Sequence, residues 1–364
     1  MHEEKIKRIL RWFNGEISPP FKMVLIPTNR CNLKCPYCPN AIPRLEGKFK
    51  KEYELSTDEW VRIVKEGLEL GIKEWSIIGG GEPFLRKEVV LKVVKLVKNH
   101  AATECEIITN GSLIDEEVAR NLVVSRLDRI LFSIDGPNAK IHDSLRGVKG
   151  TFKRVESSLK LLNKWKERLK EDKPYVKVNM VINKLNFKKL SNMVKFVHKF
   201  KAKELALHPM REYFDSVDLN EFSLTEEDKL ELQYHVEKAR KIAEKLNVFL
   251  NIEMLLLKTM VPKEKKLKGK ILKKIEKCSC FEPLYTMLVD SNGFVNCCSP
   301  SGSGIKSLNV RRMSLKEIWL SRELFSLRKK VLNGGSFTYC DKCGLTDIKF
   351  HIREELLKSV EHEV

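Results

Sequence analysis

The feature that most constrains this chain is an alternation. Six runs rich in β-branched and aromatic residues, at 21–27, 73–79, 105–110, 129–135, 175–183 and 203–209, are separated by helix-period segments near 56–70, 87–100, 115–125, 151–170 and 187–200. Strand, helix and strand in succession return the chain parallel to itself through a right-handed crossover, so the pattern predicts a parallel sheet, either doubly wound or an incomplete barrel. The first of these helices opens with Ser56 and Glu59, a capping box, and stops at Gly71. A short amphipathic helix is predicted ahead of the first strand, over residues 3–14.

The alternation then breaks. A long helix begun by Thr225 is predicted over 224–247, and residues 258–277 hold nine lysines against two glutamates. Beyond them "DSNGFVNCC" has the form of a hairpin with Asn292-Gly293 at its tip, a helix opens at Ser314 and Glu317, and "CDKC" stands at 340–343. The expected organisation is an N-terminal helix (1–20), a core (21–215), a helical and lysine-rich connector (216–277), a cysteine-rich domain (278–346) and a tail (347–364). No stretch reaches the roughly 18 apolar residues of a membrane span, and "MHEEKIKRILRWF" has no signal-peptide h-region. A cytoplasmic protein is the expectation, and there ten cysteines are expected to bind metal or do chemistry before forming disulfides. The net charge of +19 comes from mixed signs at 32% charged residues, with Gln233 the only glutamine, a usage resembling that of thermophiles.

Cys31, Cys35 and Cys38 follow directly on the first strand, where parallel α/β folds place their sites. A structural zinc would need a fourth ligand, and the next eligible residues, His100 and Cys105, lie far along the chain. The x3 and x2 spacing, with Tyr37 before the last cysteine, resembles the signature of the radical S-adenosylmethionine (SAM) superfamily. The resemblance implies a [4Fe–4S] cluster on the three thiolates, one iron left open for SAM, and reductive cleavage of SAM to a 5′-deoxyadenosyl radical. It also implies that "GGGEP" approaches SAM's methionyl amine through Gly80, Gly81, Glu82 and Pro83, although Gly79 stands where the family often has Thr. Asn110 in "TNG", Ser133 and Asp135 in "SIDG", Arg146 in "HDSLRG" and Val181 in "NMVINKLN" are implied SAM contacts. Arg146 would offer its fork to SAM's carboxylate. Each has a plainer reading, as turn, cap, surface or core residue, and Cys105 reads as a core thiol.

The later cysteines, in "CFEPLYTMLVDSNGFVNCC", "SLKEIW" and "CDKC", resemble the SPASM auxiliary-cluster extension. Cys280, which begins Cys-x-x-Pro with Pro283, together with Cys298, Cys340 and Cys343, would ligate one auxiliary [4Fe–4S] cluster. Cysteines stop at Cys343, as in the shortened "twitch" form; Cys278 and Cys297 are spare or substitute ligands, and a zinc ribbon is the alternative. The implied fold is α/β: a partial (β/α)6 radical SAM barrel with a C-terminal cysteine-rich SPASM/twitch domain. The implied function is oxidation of a peptide, protein or small-molecule substrate, the auxiliary cluster taking the electron and a ferredoxin or flavodoxin supplying the first one. Arg211, Glu212 and Tyr213, just past the sixth strand, are the expected substrate contacts. The alternatives are an RNA-binding or RNA-modifying protein, motivated by the lysine run, and a radical SAM cyclase of cofactor biosynthesis. The run lacks interleaved aromatics, which favours a solvated linker and no nucleic acid.

Overall fold

The computed structural model describes residues 1–40, 46–210, 219–252, 255, 270–298, 305, 307–337, 340, 343 and 346–361. Arg211, Glu212, Tyr213 and most of the lysine run lie outside these residues. Among the described residues nine strands form one sheet: β1 Lys22–Leu25, β2 Glu74–Ile77, β3 Glu104–Thr109, β4 Arg129–Ser133, β5 Tyr175–Ile182, β6 Glu204–Pro209, β7 Phe249–Asn251, β8 Thr286–Val289 and β9 Val295–Asn296. The order is 7-6-5-4-3-2-1-8-9, parallel throughout except for the β8–β9 hairpin. Strands one to six are laid down in a single direction with no reversal among them. That is the winding of a barrel wall, here left open, and not of a doubly wound sheet.

The helices are α1 His2–Phe13, α2 Thr57–Glu69, α3 Lys87–Lys98, α4 Glu116–Val124, α5 Ala139–Arg146, α6 Thr151–Leu169, α7 Leu190–Lys199, α8 Glu226–Leu246, α9 Lys270–Lys277, α10 Glu282–Tyr285, α11 Leu315–Trp319, α12 Arg322–Leu332 and α13 Thr346–Glu361. Their starts are local chemistry. Ser56 with Glu59, Thr225 with Asp228 and Ser314 with Glu317 form capping boxes that satisfy otherwise orphaned N–H groups. None of the described helices is long and apolar enough to cross a membrane.

Burial alternates along β5: Val176, Val178, Met180 and Ile182 are buried, while Tyr175, Lys177, Asn179 and Val181 are partly exposed. The buried set joins one core with apolar stripes such as Val89, Val90, Val93, Val94 and Val97 of α3 and Val155, Leu159 and Leu162 of α6. Two elements go beyond the sequence reading. Residues 249–251, inside the stretch read as connector, extend the sheet beside β6. Residues 347–364, read as a tail, carry most of α13, which buries Ile352, Leu356 and Leu357 in the same core. Both were hidden because a three-residue strand is too short to alternate and the apolar residues of α13 are only weakly segregated to one face.

The strand starts carry paired charge. Glu74 meets Lys5 at 2.7 Å and Lys22 at 3.1 Å, Arg129 meets Glu106 at 3.3 Å, and Lys177 meets Glu204 at 2.8 Å. Burial by itself would raise the pKa of Glu74, but Lys22 and Lys5 more than offset it and hold the carboxyl at about 2. A carboxyl lowered on folding contributes stability above its unfolded pKa and loses it as pH falls toward the folded value. Glu74→Gln is therefore expected to cost roughly 3 kcal/mol at pH 7. The deficit should shrink as urea denaturation is repeated below about pH 4.5.

Candidate active site

The loop after β1 carries the three cysteines. Cys35 is buried and Cys31 and Cys38 are half-buried, with the Cys38 N–H donating to the Cys35 carbonyl at 3.2 Å. The loop is fastened to the end of α5, where the Lys34 N–H donates to the Arg146 carbonyl at 3.1 Å. Gly147 caps that helix at φ +67°, and a Cβ there would lie 2.2 Å from the Lys34 carbonyl oxygen. Only glycine allows this approach.

The glycine loop after β2 continues the pairing of the strands below it. Gly81 N–H donates to Thr28 O at 3.1 Å, and Glu82 N–H to Arg30 O at 2.9 Å. A Cβ on Gly80 would sit 1.7 Å from Asn29 Oδ1, and one on Gly81 would sit 1.8 Å from Arg30 O. The glycines thus seat this loop on the residues that precede Cys31. Pro83 opens a 3-10 turn, Pro83–Arg86. Glu82 is fully buried and accepts from Thr109 Oγ1 (2.7 Å), Asn110 N (2.8 Å) and Phe84 N (3.1 Å). Burial raises it to about 7 although all three donors pull the other way. The side chain accordingly ties β2's loop to the end of β3.

A residue without a sequence signal pins the two loops together. Glu54, 8% exposed, accepts from Thr28, from Arg30 at 3.0 and 3.1 Å, and from Arg86 at 3.0 Å. Arg30 precedes the first cysteine and Arg86 follows the glycine loop, so one carboxylate joins both. Nothing in "KEYELS" marks Glu54, because its role depends on partners distant in sequence.

Behind the cysteines lies a second buried charge cluster. Asp135 is wholly buried; it pairs with Arg146 at 2.7 Å, accepts from the Val181 N–H at 2.9 Å and accepts the Tyr37 hydroxyl. His142 Nδ1 accepts from the Asp135 N–H at 3.3 Å, and burial together with Arg146 holds this imidazole neutral. Arg146 Nη1 lies 3.9 Å from Cys35 Sγ, and its Nε is buried without a partner among the described residues. Asn110 Nδ2 donates to Asn32 Oδ1 at 3.0 Å and lies 4.0 Å from Cys31 Sγ. Ser133 ends β4 in register with Asn179. Six of the expected SAM contacts (Tyr37, Glu82, Asn110, Asp135, Arg146 and Val181) are therefore joined to one another or to the cysteines, and Arg146 has an internal carboxylate as partner. Cys105 lies in the core, its thiol pushed up by burial.

In the C-terminal region Cys278 and Cys297 are buried, whereas Cys280, Cys298, Cys340 and Cys343 are half-buried. Burial, then the negative potential of Glu282, Cys298 and Cys343, pushes Cys280 up. The Cys343 N–H donates to the Cys340 carbonyl at 3.2 Å, and the Phe337 N–H to Cys340 Sγ at 3.2 Å. Among the described residues no three His, Cys, Asp or Glu side chains are gathered as a single metal ion requires. The donor chemistry fits iron–sulfur clusters: soft thiols at both places, with Arg146, Asn110 and the Phe337 N–H directed at sulfur.

Two outcomes check this geometry. Gly81→Ala should displace the residues before Cys31 and lower bound iron by about four atoms per chain after anaerobic reconstitution. Asp135→Asn should leave a buried Arg146 charge uncompensated and cost about 3–5 kcal/mol in denaturation.

Comparison with known proteins follows the same division. The radical SAM superfamily model matches residues 25–197, and the model of the SPASM iron–sulfur cluster-binding domain matches 278–344. The PqqA peptide cyclase of Granulibacter bethesdensis is 31% identical over 178 residues, 49% of this chain and 44% of that protein. The AdoMet-dependent heme synthase of Methanosarcina barkeri is 30% identical over 164 residues, 45% of this chain and 43% of that protein. The matched stretches span less than half the length of these two relatives. Among solved structures, Streptococcus suis SuiB superposes with a TM-score of 0.65 at 19% identity, covering 95% of this chain and 75% of SuiB. Native anSMEcpe, solved with bound AdoMet and the Cp18Cys peptide, gives 0.62 at 22% identity, covering 90% of this chain and 87% of anSMEcpe. These two likenesses show the fold. With both family models matched on the segments that carry the two cysteine sets, the chain belongs to the radical SAM superfamily, in the branch with a SPASM extension.

Proposed function

We propose that this chain is a radical SAM enzyme that oxidises a peptide or protein side chain. Cys31, Cys35 and Cys38 would hold the SAM-binding cluster, and Cys280, Cys298, Cys340 and Cys343 one auxiliary cluster. When bound, the first cluster and SAM would supply radical hydrogen abstraction, and the auxiliary cluster would supply one-electron oxidation of the substrate, a nearby base taking the proton. The observation that carries this reading is the pairing of β8 with β1, which places the β8–β9 hairpin, flanked by Cys280 and Cys298, beside the strand that leads into Cys31.

The chain's own residues have definable tasks in this reading. Glu54 and the glycine loop hold the three-cysteine loop in one place. Arg146 and Asn110 direct N–H groups at the sulfurs of Cys35 and Cys31. Gly80, Gly81, Glu82, Pro83, Tyr37, Ser133, Asp135 and Val181 line or support the SAM side. The half-buried state of Cys280, Cys298, Cys340 and Cys343, against the full burial of Cys278 and Cys297, supports the chosen four. Arg211, Glu212 and Tyr213 remain the proposed substrate contacts, following the end of β6.

Peptide as substrate class is supported by the relatives: PqqA peptide cyclase, SuiB solved with the precursor peptide SuiA, and anSMEcpe solved with peptides. A small molecule is the second reading, favoured by the heme synthase match. A ferredoxin or flavodoxin would supply the reducing electron, in the cytoplasm.

Incubation with SAM and dithionite should release 5′-deoxyadenosine, read by mass spectrometry. The Cys31/Cys35/Cys38→Ala variant should release none yet retain about four irons. Absence of 5′-deoxyadenosine from the intact protein would sink the radical assignment, and a variant that carries zinc and no iron would sink the auxiliary cluster.

A further inference from the structure

Arg328 of α12 carries a permanent charge out of water. The residue is 2% exposed, and its guanidinium lies against two indoles, 3.7 Å from the Trp319 ring centroid and 4.9 Å from that of Trp12. Both rings are fixed: Trp12 Nε1 donates to Leu284 O and Trp319 Nε1 to Ser18 O, each at 2.8 Å. Arg328 Nε donates to Pro283 O at 3.0 Å and Nη1 to Trp319 O at 2.7 Å. Nη2 is buried with no hydrogen-bond partner among the described residues.

Every other buried arginine discussed above has a carboxylate. Arg86 has Glu54, and Arg146 has Asp135. Arg328 has no carboxylate partner among the described residues, and Cys297 is the ionisable side chain that acts on it. Burial pulls the guanidinium down to about 10, so it stays charged at neutral pH. A buried cation lacking an anion costs several kcal/mol, and the flanking rings return only a part.

Its position points to the missing anion. Pro283 closes the Cys280-x-x-Pro283 turn, and Cys297 adjoins Cys298 at the far end of the β8–β9 hairpin. The guanidinium therefore stands between the arms that present Cys280 and Cys298. We propose that Arg328 is a positioning residue for the auxiliary cluster, its fixed charge stabilising the electron which that cluster accepts. The inference rests on the reading that Cys280, Cys298, Cys340 and Cys343 hold a [4Fe–4S] cluster. Four thiolates make such a cluster a net dianion that becomes a trianion on reduction. One electron enters, no bond forms or breaks, and no proton moves, so a stationary cation lowers the energy of the reduced form.

The test uses the full chain with Cys31/Cys35/Cys38→Ala, reconstituted anaerobically and titrated with dithionite and mediators while the reduced cluster is followed by EPR. Iron in this parent, about four atoms per chain, checks the underlying reading separately: an iron-free parent ends that reading whatever Arg328 does. In the parent background, Arg328→Met and Arg328→Gln should lower the reduced-to-oxidised ratio at fixed potential about tenfold, about 59 mV for a one-electron couple. Arg328→Lys, which keeps the charge, should stay close to the parent. Should both neutral variants lose iron while the Lys variant keeps it, the need for compensating charge is upheld at assembly. Neutral variants with full iron and an unchanged ratio overturn the proposal, even if their melting temperatures fall. So does a Lys variant that falls as far as Met, or loss of iron in all three, since shape and not charge would then decide.

Discussion

The hydrogen-bonded ladder between β1 and β8 carries the rest of the arrangement. Lys22 to Leu25 pair in parallel with Thr286 to Val289, so a strand from late in the chain flanks the first strand on the side away from β2. β1 is thereby enclosed on both edges, and β8 is buried along its whole length. Loops that follow parallel neighbours emerge at the same end of a sheet. The turn after β8 consequently meets the cysteine loop after β1. Asn29 Nδ2 donates to Ser291 Oγ at 3.0 Å, and the Leu55 N–H to Ser291 O at 2.7 Å. Asn29 is also the residue against which Gly80 closes.

Charge buried near this junction follows one rule: a partner is present, or sulfur takes its place. Glu54 satisfies Arg30 and Arg86, and Asp135 satisfies Arg146. Such pairs add little net stability over apolar packing, but breaking one is costly, and that asymmetry holds geometry. Arg146 spans both cases, one nitrogen on Asp135 and another near Cys35 Sγ. Around the second cysteine set the balance tips further, since Arg328 has aromatic faces and carbonyls but no carboxylate among the described residues.

Legibility in the sequence tracked the range of the interaction responsible. The caps at Ser56, Thr225 and Ser314 were readable because donor and acceptor lie three residues apart. The six first strands were readable because side-chain alternation and turn residues are local. The hairpin tip at Asn292-Gly293 was readable for the same reason, and Gly293 has φ +88°. By contrast β7, with three residues, and Glu54, with partners 24 to 32 positions away, have no local signature. The pairing of Arg146 with Asp135 had no such signature, because it depends on how the turn after β4 and the end of α5 come together.

The sequence by itself determined the kinds of element, the two sets of thiols and the family whose motifs they match. Those follow from covalent spacing and from hydrogen bonds spanning a few residues. Tertiary structure alone decided that β8 pairs with β1, that Glu54 joins two loops, and that four of the six late cysteines stand nearer the surface than the other two. Strand pairing and burial depend on which distant segments exclude water together, and no local pattern encodes that.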